Sequence, residues 1–382
     1  MNTKKMKVVN MLSTYNEKEN VGSMIETLER IAKENPRYEF VTLVVDSHSP
    51  DGTGVIVRQL AKTRENLFLL ETPRGLGISL IAGYKHAVGE LKAEVVIPND
   101  CDFQWDPELI PQMLQKIDEG YDVVVPSRHT KGVKDAFTGF RKVTHFVSND
   151  LLNHYWAGIR EVKDLAGNFK AIRVKNILDK VELDKLHVRG FVIQSTMIYE
   201  LSKTGAKFIE IPAVFGARRA GESKVGFSMQ FIKDIIETVK NSTRIRIERS
   251  QKFIKFGVVG FVGYLVNAST LFVFASLWHF PEWLSWFLST ELAIVSNFIW
   301  NNLWTFRAEQ IKGINQVIKK FLQFNLTSAG ALLIQTVAGT VGAKIFGPSH
   351  RQILLPFIIV FLVLPYNYTM YTLVIWRKKI KK

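Results

Sequence analysis

The 382-residue sequence predicts an α/β domain with a mostly parallel sheet, followed by an all-α membrane domain of four transmembrane helices. Three observations carry this. Over residues 1–250, short β-branched runs alternate with segments whose apolar residues recur at helical spacing, the pattern of a sheet covered on both faces. From 253 to 376 long apolar runs take over. Polar clusters follow several of the predicted strands, at the carboxyl edge where open α/β sheets bind their ligands.

Strands are expected over 8–12, 40–46, 67–71, 95–98, 121–126 and 208–214, and helices over 19–33, 53–63, 78–88 and 108–118. Ser13-Thr14-Tyr15-Asn16-Glu17 follows the first strand and Asp46–Thr53 the second, with Asp51-Gly52 as a turn signal. Arg74-Gly75-Leu76-Gly77 opens the third helix, whose free N–H groups can face an anion. Any one cluster also fits an ordinary βα connection. Four at one edge argue for a site.

The most informative cluster is Asn99-Asp100-Cys101-Asp102-Phe103-Gln104, after the apolar run Val95-Val96-Ile97. Asp106 can cap the following helix, with Pro107 at its first position. If the stretch stays extended, Asp100, Asp102 and Gln104 point the same way and can converge on one hard cation. A plain capping turn is the alternative reading of two aspartates at this spacing. Cys101, the single cysteine, excludes an intrachain disulfide and reads as a small residue in a tight place.

Lys and Arg number 50 against 35 Asp and Glu, a formal net charge of +15. The excess crowds the flanks of the apolar runs and no nucleic-acid-binding motif accompanies it, so an anionic membrane surface is the expected partner rather than nucleic acid. The basic start, Met1 to Lys7, leads into a strand rather than a signal-peptide core, which predicts a cytoplasmic first domain. Domains are expected at 1–227, 228–252 and 253–382. In the middle segment Phe231, Ile232, Ile235, Ile236 and Val239 share one helical face beside Lys233, Lys240, Arg244, Arg246, Arg249 and Lys252. This reads as an interfacial helix, or as an ordinary amphipathic helix packed on the first domain. Spans are expected over 253–278, 283–306, 321–345 and 353–376. Positive charge before span one, between spans two and three, and after span four places both termini in the cytoplasm. Trp278, Trp283, Trp304 and Trp376 are expected as interfacial anchors, and Gly330, Gly339 and Gly342 as sites of close helix packing.

Together these residues resemble glycosyltransferase family 2 of the GT-A fold, and within it the polyprenyl-phosphate (dolichol-phosphate) mannose synthases. Thr14-Tyr15-Asn16-Glu17, Val45-Asp46 with Ser49–Thr53, Arg74–Gly77, Asp100–Gln104, Ser127-Arg128, and Arg218 with Gly221-Glu222-Ser223-Lys224 occur in family order across about residues 7–226. Lys255–Gly260, with Asn297, Asn301, Trp304, Thr305 and Phe306, resembles the four-helix GtrA-like domain fused to some of these enzymes. The resemblance implies that Ser13, Tyr15, Glu17, Val45 and Ser47 lie against a donor nucleotide sugar, GDP-mannose first, together with Asp100, Cys101, Asp102 and Gln104. It implies Mg²⁺ or Mn²⁺ held by Asp100, Asp102 and Gln104. Arg128, Arg218 and Lys224 would act on the donor phosphates, with Asp102, Arg128, Arg218 and Lys224 as the catalytic set. Arg128, Arg141 and His145 would meet the phosphate of a dolichyl or polyprenyl acceptor. That acceptor needs no strong base, and attack opposite the leaving group gives an inverted, β-linked product. Ser47 stands where the family usually has an acidic residue, which keeps UDP-glucose as an alternative donor. Asn168-Phe169 replaces a more usual Gly-Phe, and His145 a common Ser. No Q-x-x-R-W segment points to polymer synthesis. A lipid-linked-sugar flippase is the alternative of another class, motivated by polar residues inside the predicted spans.

Overall fold

The computed structural model describes residues 5–130, 139–186, 190–219, 229–347 and 357–376. The chain divides into two compact units, Met1–Arg246 and Ile247–Lys382.

The first unit is built on a seven-stranded sheet in the order β3-β2-β1-β4-β6-β5-β7. Its strands are β1 (Met6–Thr14), β2 (Tyr38–Asp46), β3 (Leu67–Glu71), β4 (Val95–Asp100), β5 (Val123–Ser127), β6 (Ala171–Arg173) and β7 (Phe208–Pro212). All run parallel except β6, which is antiparallel to both β4 and β5. The six expected strands are present. The seventh, β6, has three residues, too few to show alternation in the sequence.

Alternate residues build the two apolar layers. Val8, Leu12, Val44, Val95 and Ile97 pack with helices α1 (Val21–Glu34), α2 (Thr53–Ala61) and α4 (Ile110–Asp118). Val9, Met11, Leu43, Val45 and Val96 pack with α3 (Leu76–Gly89) and with a later helix, Val192–Lys203. Gly83 lets α3 approach closely: a Cβ there would meet Met11 Sδ at 2.5 Å and a Val45 methyl at 2.9 Å. Between β5 and β6 lies α5 (Gly139–His145), continued by a wider π-helical stretch, Phe146–Trp156. Neither this region nor α6 (Val192–Lys203) is foreseen by the sequence reading, because both lie among polar loops without a clear period.

Register sets the edge. Thr14 pairs with Asp46, Asp46 with Glu71, and Ser13 with Asp100. The strand order turns back between β1 and β4, so these ends flank the crevice where such sheets bind ligands.

Helix α7 (Met229–Phe272) runs unbroken across the position, 252/253, where the sequence reading divides linker from span. Within the first unit, Asn241 donates to Thr196 Oγ1 (3.0 Å) and Ser242 to Asn153 Oδ1 (3.1 Å). Ile232, Ile235, Ile236 and Val239 remain exposed. The second unit continues with α8 (Glu282–Trp300), α9 (Ile314–Phe346) and α10 (Leu364–Met370). Among the described residues one helix, Ile232–Thr270, is long and apolar enough to cross a membrane. The other three expected spans do not meet that measure among the described residues.

An aromatic cluster centres this unit, with Phe306 stacked on Trp376 at 4.5 Å and Phe256, Phe298, Phe324 and Tyr371 around them. Trp376 is therefore not an interfacial anchor. Its ring is buried, and its indole N–H donates to Asn302 Oδ1 at 3.0 Å. Trp278 and Trp304 are exposed as expected, with Lys255 over the Trp304 ring at 5.6 Å. Gly330 faces the Tyr366 hydroxyl with no room for a side chain, as close helix packing requires.

Candidate active site

Two loops at the carboxyl edge are zipped together. Thr14 Oγ1 and Ser49 Oγ donate to Asp46 Oδ1 (2.9 and 2.6 Å), and Ser49 N donates to Asp46 Oδ2 (2.9 Å). Asn16, in the left-handed region at φ 55°, donates its N–H to Ser49 Oγ. Glu17 N–H then reaches Thr53 Oγ1 at 3.0 Å. This turn holds the Glu17 carboxylate against Asn20 Nδ2 (2.9 Å) and within 3.4 Å of Arg218. Ser13, next to the last residue of β1, has a buried hydroxyl with no hydrogen-bond partner among the described residues. The Arg74 guanidinium lies 4.5 Å over the Tyr15 ring.

Beyond β4 the chain does not stay extended. The strand ends at Asp100, and Phe103 takes a positive φ of 60°. Period-two alternation therefore cannot bring Asp100, Asp102 and Gln104 to one point. The two charges still act on each other: burial first, then the Asp102 charge, push the Asp100 carboxyl up to about 6, against a hydrogen bond from Asn168. Asp102 Oδ1 accepts from Gln104 N (3.1 Å), and Oδ2 lies 2.9 Å from the Arg218 guanidinium. Gln104 instead donates its side-chain amide to Gly216 O (3.2 Å), while Gly216 N donates to Gln104 O (2.8 Å). Gln104 thus staples the turn after β4 to the segment after β7. Cys101 turns inward, 1 % exposed in the apolar layer. Val45 offers the edge only its backbone, since its side chain is also in the core. Asp106 caps the next turn through Glu108 N, as predicted.

No three Asp, Glu, His or Cys side chains among the described residues are arranged to hold a metal. Two carboxylates suffice for an ion that takes its other ligands from phosphate and water. The Asp100–Asp102 pair fits that need, since it is oxygen-only, and its closeness raises the cost of ionising both without a cation.

Arg128 differs most from expectation. Its Nε and Nη2 form a two-pronged ion pair with Asp164, both at 2.7 Å, and its backbone N–H donates to the same carboxylate. Both side chains are buried. The guanidinium also lies over the Phe215 ring at 5.0 Å and the Trp105 ring at 5.4 Å. Burial pushes Asp164 up, yet the Arg128 hydrogen bonds and charge hold it below the usual carboxylate range. Arg128 thus joins three segments, through Asp164, Trp105 and Phe215. Asp164 was missed by the sequence reading because it sits in a loop with no motif. Arg141's side chain and Lys224 lie outside the described residues.

His145 lies 3.0 Å from His129, Nε2 to Nε2. One ring must keep a lone pair to accept, so the pair disfavours double protonation. Burial first, then Arg128 and His129, push His145 down to about 4, with Asp164 and Asp150 opposing. His145 is therefore the neutral imidazole at physiological pH. Because the unfolded chain binds this proton near pH 6.5 and the folded one near 4, stability falls as pH drops through that window. Wild-type protein should therefore lose more thermal stability than His145→Gln between about pH 6.5 and 4.5. Equal losses would refute the shift.

The sequence of this chain matches two family descriptions, glycosyl transferase family 2 over residues 11–177 and the GtrA/DPMS transmembrane domain over residues 255–376. The dolichol-phosphate mannosyltransferase of Pyrococcus furiosus is 30% identical over 336 residues, 87% of this chain and 89% of that one. An undecaprenyl-phosphate mannosyltransferase of Micrococcus luteus is 30% identical over 63% of this chain and 93% of its own length. A solved mannosyltransferase of Pyrobaculum calidifontis, in complex with GDP-Man and Mn²⁺, is similar at a TM-score of 0.39 and 17% identity, over 79% of this chain and 88% of that one.

Proposed function

This chain belongs to glycosyl transferase family 2, and we propose that it transfers mannose from GDP-mannose to dolichyl or polyprenyl phosphate at the cytoplasmic face of a membrane. The observation that carries the reading is Arg218 lying between Glu17 and Asp102. A cation from the loop after β7 there already meets carboxylates at the mouth of the β1/β4 crevice, as binding a diphosphate beside a metal requires.

Asp100 and Asp102 would hold Mg²⁺ or Mn²⁺, which when bound supplies positive charge to the diphosphate leaving group. Arg218 would pair with the donor phosphates, its guanidinium fork reaching from the loop after β7, and Lys224 would join it. Its planar fork suits this better than an ammonium. Tyr15, Glu17, the Ser13 hydroxyl and the Val45–Ser47 backbone line the nucleotide side. Arg141 and His145 take the acceptor phosphate, His145 as a neutral donor. The acceptor is already an anion, so its oxygen attacks the anomeric carbon without a protein base and inverts it. The exposed Ile232, Ile235, Ile236 and Val239 lie on the membrane surface, and four spans with both termini cytoplasmic anchor the enzyme.

Ser47 favours one second donor, UDP-glucose, because it offers no carboxylate to the nucleoside. A second class of activity, lipid-linked-sugar flipping, is motivated by the buried Asn297, Asn301 and Thr305 oxygens, which lack partners among the described residues.

Membranes bearing the full chain, given polyprenyl phosphate and labelled nucleotide sugars, test these readings. Label should reach the lipid fraction from GDP-mannose alone, fall to background with EDTA and return with Mg²⁺ or Mn²⁺. Label from UDP-glucose alone overturns the donor; chelator-resistant label overturns the metal. Movement of glycolipid across vesicles without nucleotide sugar would favour the flippase.

A further inference from the structure

Behind Asp100 runs a buried chain of hydrogen bonds that the reaction scheme above does not use. Asn168 Nδ2 donates to Asp100 Oδ1 at 3.2 Å. Asn168 Oδ1 accepts from Gln194 Nε2 at 3.1 Å. Gln194 Oε1 accepts from Lys170 Nζ at 2.7 Å. The remaining Lys170 donors go to Gly167 O (2.9 Å) and Asn168 O (3.1 Å). Lys170, Gln194 and Asn168 are 1 %, 2 % and 5 % exposed.

The chain has a direction, and lysine sets it. An amide can usually be turned over at small cost, exchanging its donor for its acceptor. An ammonium has donors only. With Lys170 at one end, Gln194 must present its oxygen to Lys170 and its N–H to Asn168. Asn168 must then present its oxygen to Gln194 and its N–H to Asp100. Reversing either amide would set oxygen against oxygen or nitrogen against nitrogen in a dry interior, which is costly. Burial lowers Lys170 to about 7 against the charges of Asp100 and Asp164, so the donor-only ammonium that orients the chain is the form held below that pH. The three acceptor oxygens around Nζ match its three N–H groups.

We propose that Asn168, oriented through Gln194 by Lys170, is a positioning residue that fixes one oxygen of Asp100 and leaves the other turned to the divalent ion. The inference rests on the proposed metal role of Asp100. Outer partners of this kind typically set metal affinity by about 10–100-fold.

The test uses full-length protein in detergent, with Mn²⁺ binding read by electron paramagnetic resonance in the presence of GDP. Asn168→Ala should weaken Mn²⁺ binding by about 10-fold or more, and raise the Mn²⁺ concentration for half-maximal transfer equally, with KM for polyprenyl phosphate unchanged. Gln194→Glu, which can still accept from Lys170 but cannot donate to Asn168 when ionised, should weaken binding in the same direction without removing bulk. Gln194→Asn, whose shorter arm keeps the same groups, should retain more affinity than Gln194→Glu. Unchanged Mn²⁺ affinity in folded Asn168→Ala or Gln194→Glu overturns the inference while leaving the proposed function standing. Wild-type protein that binds no Mn²⁺ overturns both.

Discussion

Asp102→Ala should lower kcat for lipid mannosylation by about 10³-fold, at the upper end of what one preorganised electrostatic group contributes. The magnitude follows from how much one carboxylate does. Oδ1 fixes the turn after β4 through Gln104 N, and Oδ2 holds Arg218. Under the proposed function the same oxygens, with Asp100, hold the ion that neutralises the leaving group. Alanine removes the negative charge, loosens the turn and leaves Arg218 with Glu17. Asp102→Asn keeps shape and some hydrogen bonding, and should recover little activity, because it removes the negative charge that offsets the dication. Arg218→Ala should cost less. Asp102→Ala with Arg218→Ala should cost less than the sum of the singles, since residues in direct contact are not additive. Steady-state kinetics with labelled GDP-mannose, beside circular dichroism for folding, check this. Wild-type rates in folded Asp102→Ala would remove the diphosphate from this edge.

The sheet was legible because its strands are short apolar runs separated by helices with clear periods. Leu67–Glu71 was bounded to the residue, and β1, β2 and β4 differ only by extension. Asp46, Asp100 and Asp102 were legible as edge residues because strand ends are where βα loops begin. Their mutual geometry was not. Phe103's positive φ turns the chain, so Gln104 goes to Gly216, which alternation would not predict. Asn168, Lys170 and Gln194 were hidden for a different reason: a buried lysine has no sequence signature, and its meaning lies in three oxygens from other segments. In the membrane half the long apolar runs were plain, but the lengths of the helices were not. Charged residues at 240–255 read as a boundary, whereas backbone hydrogen bonding carries α7 through them. Trp376 read as an anchor because Trp at the end of an apolar run usually is one. Its partners, Phe306 and Asn302, are about 70 residues earlier, beyond any local pattern.

Asp164→Ala should destabilise the first unit by about 3–5 kcal/mol, the cost of leaving one member of a buried ion pair without its partner. Arg128 would keep its charge at a site only 6 % exposed, between the Trp105 and Phe215 rings. Three links would fail together: Arg128 to the 164 loop, the backbone N–H of Arg128 to the same carboxylate, and Ala166 N to Asp164 Oδ1. Arg128→Ala leaves the converse orphan, a carboxylate 1 % exposed, and should cost a similar amount. Arg128→Lys should also be damaging, since an ammonium cannot make the paired contacts of the guanidinium. The informative variant replaces both partners. Arg128→Met with Asp164→Leu fills the space with apolar groups, and paired replacement of buried ions is often neutral or stabilising. Thermal unfolding in detergent should show the double variant recovering part of what each single loses, since the N–H groups of residues 128 and 166 still lack the Asp164 acceptor. Transfer activity then separates the two roles open to Arg128. If its work is to brace the Trp105–Phe215 wall, the stable double variant regains substantial activity. If the guanidinium also meets substrate phosphate, stability returns and activity does not, which supports the phosphate role expected from the sequence.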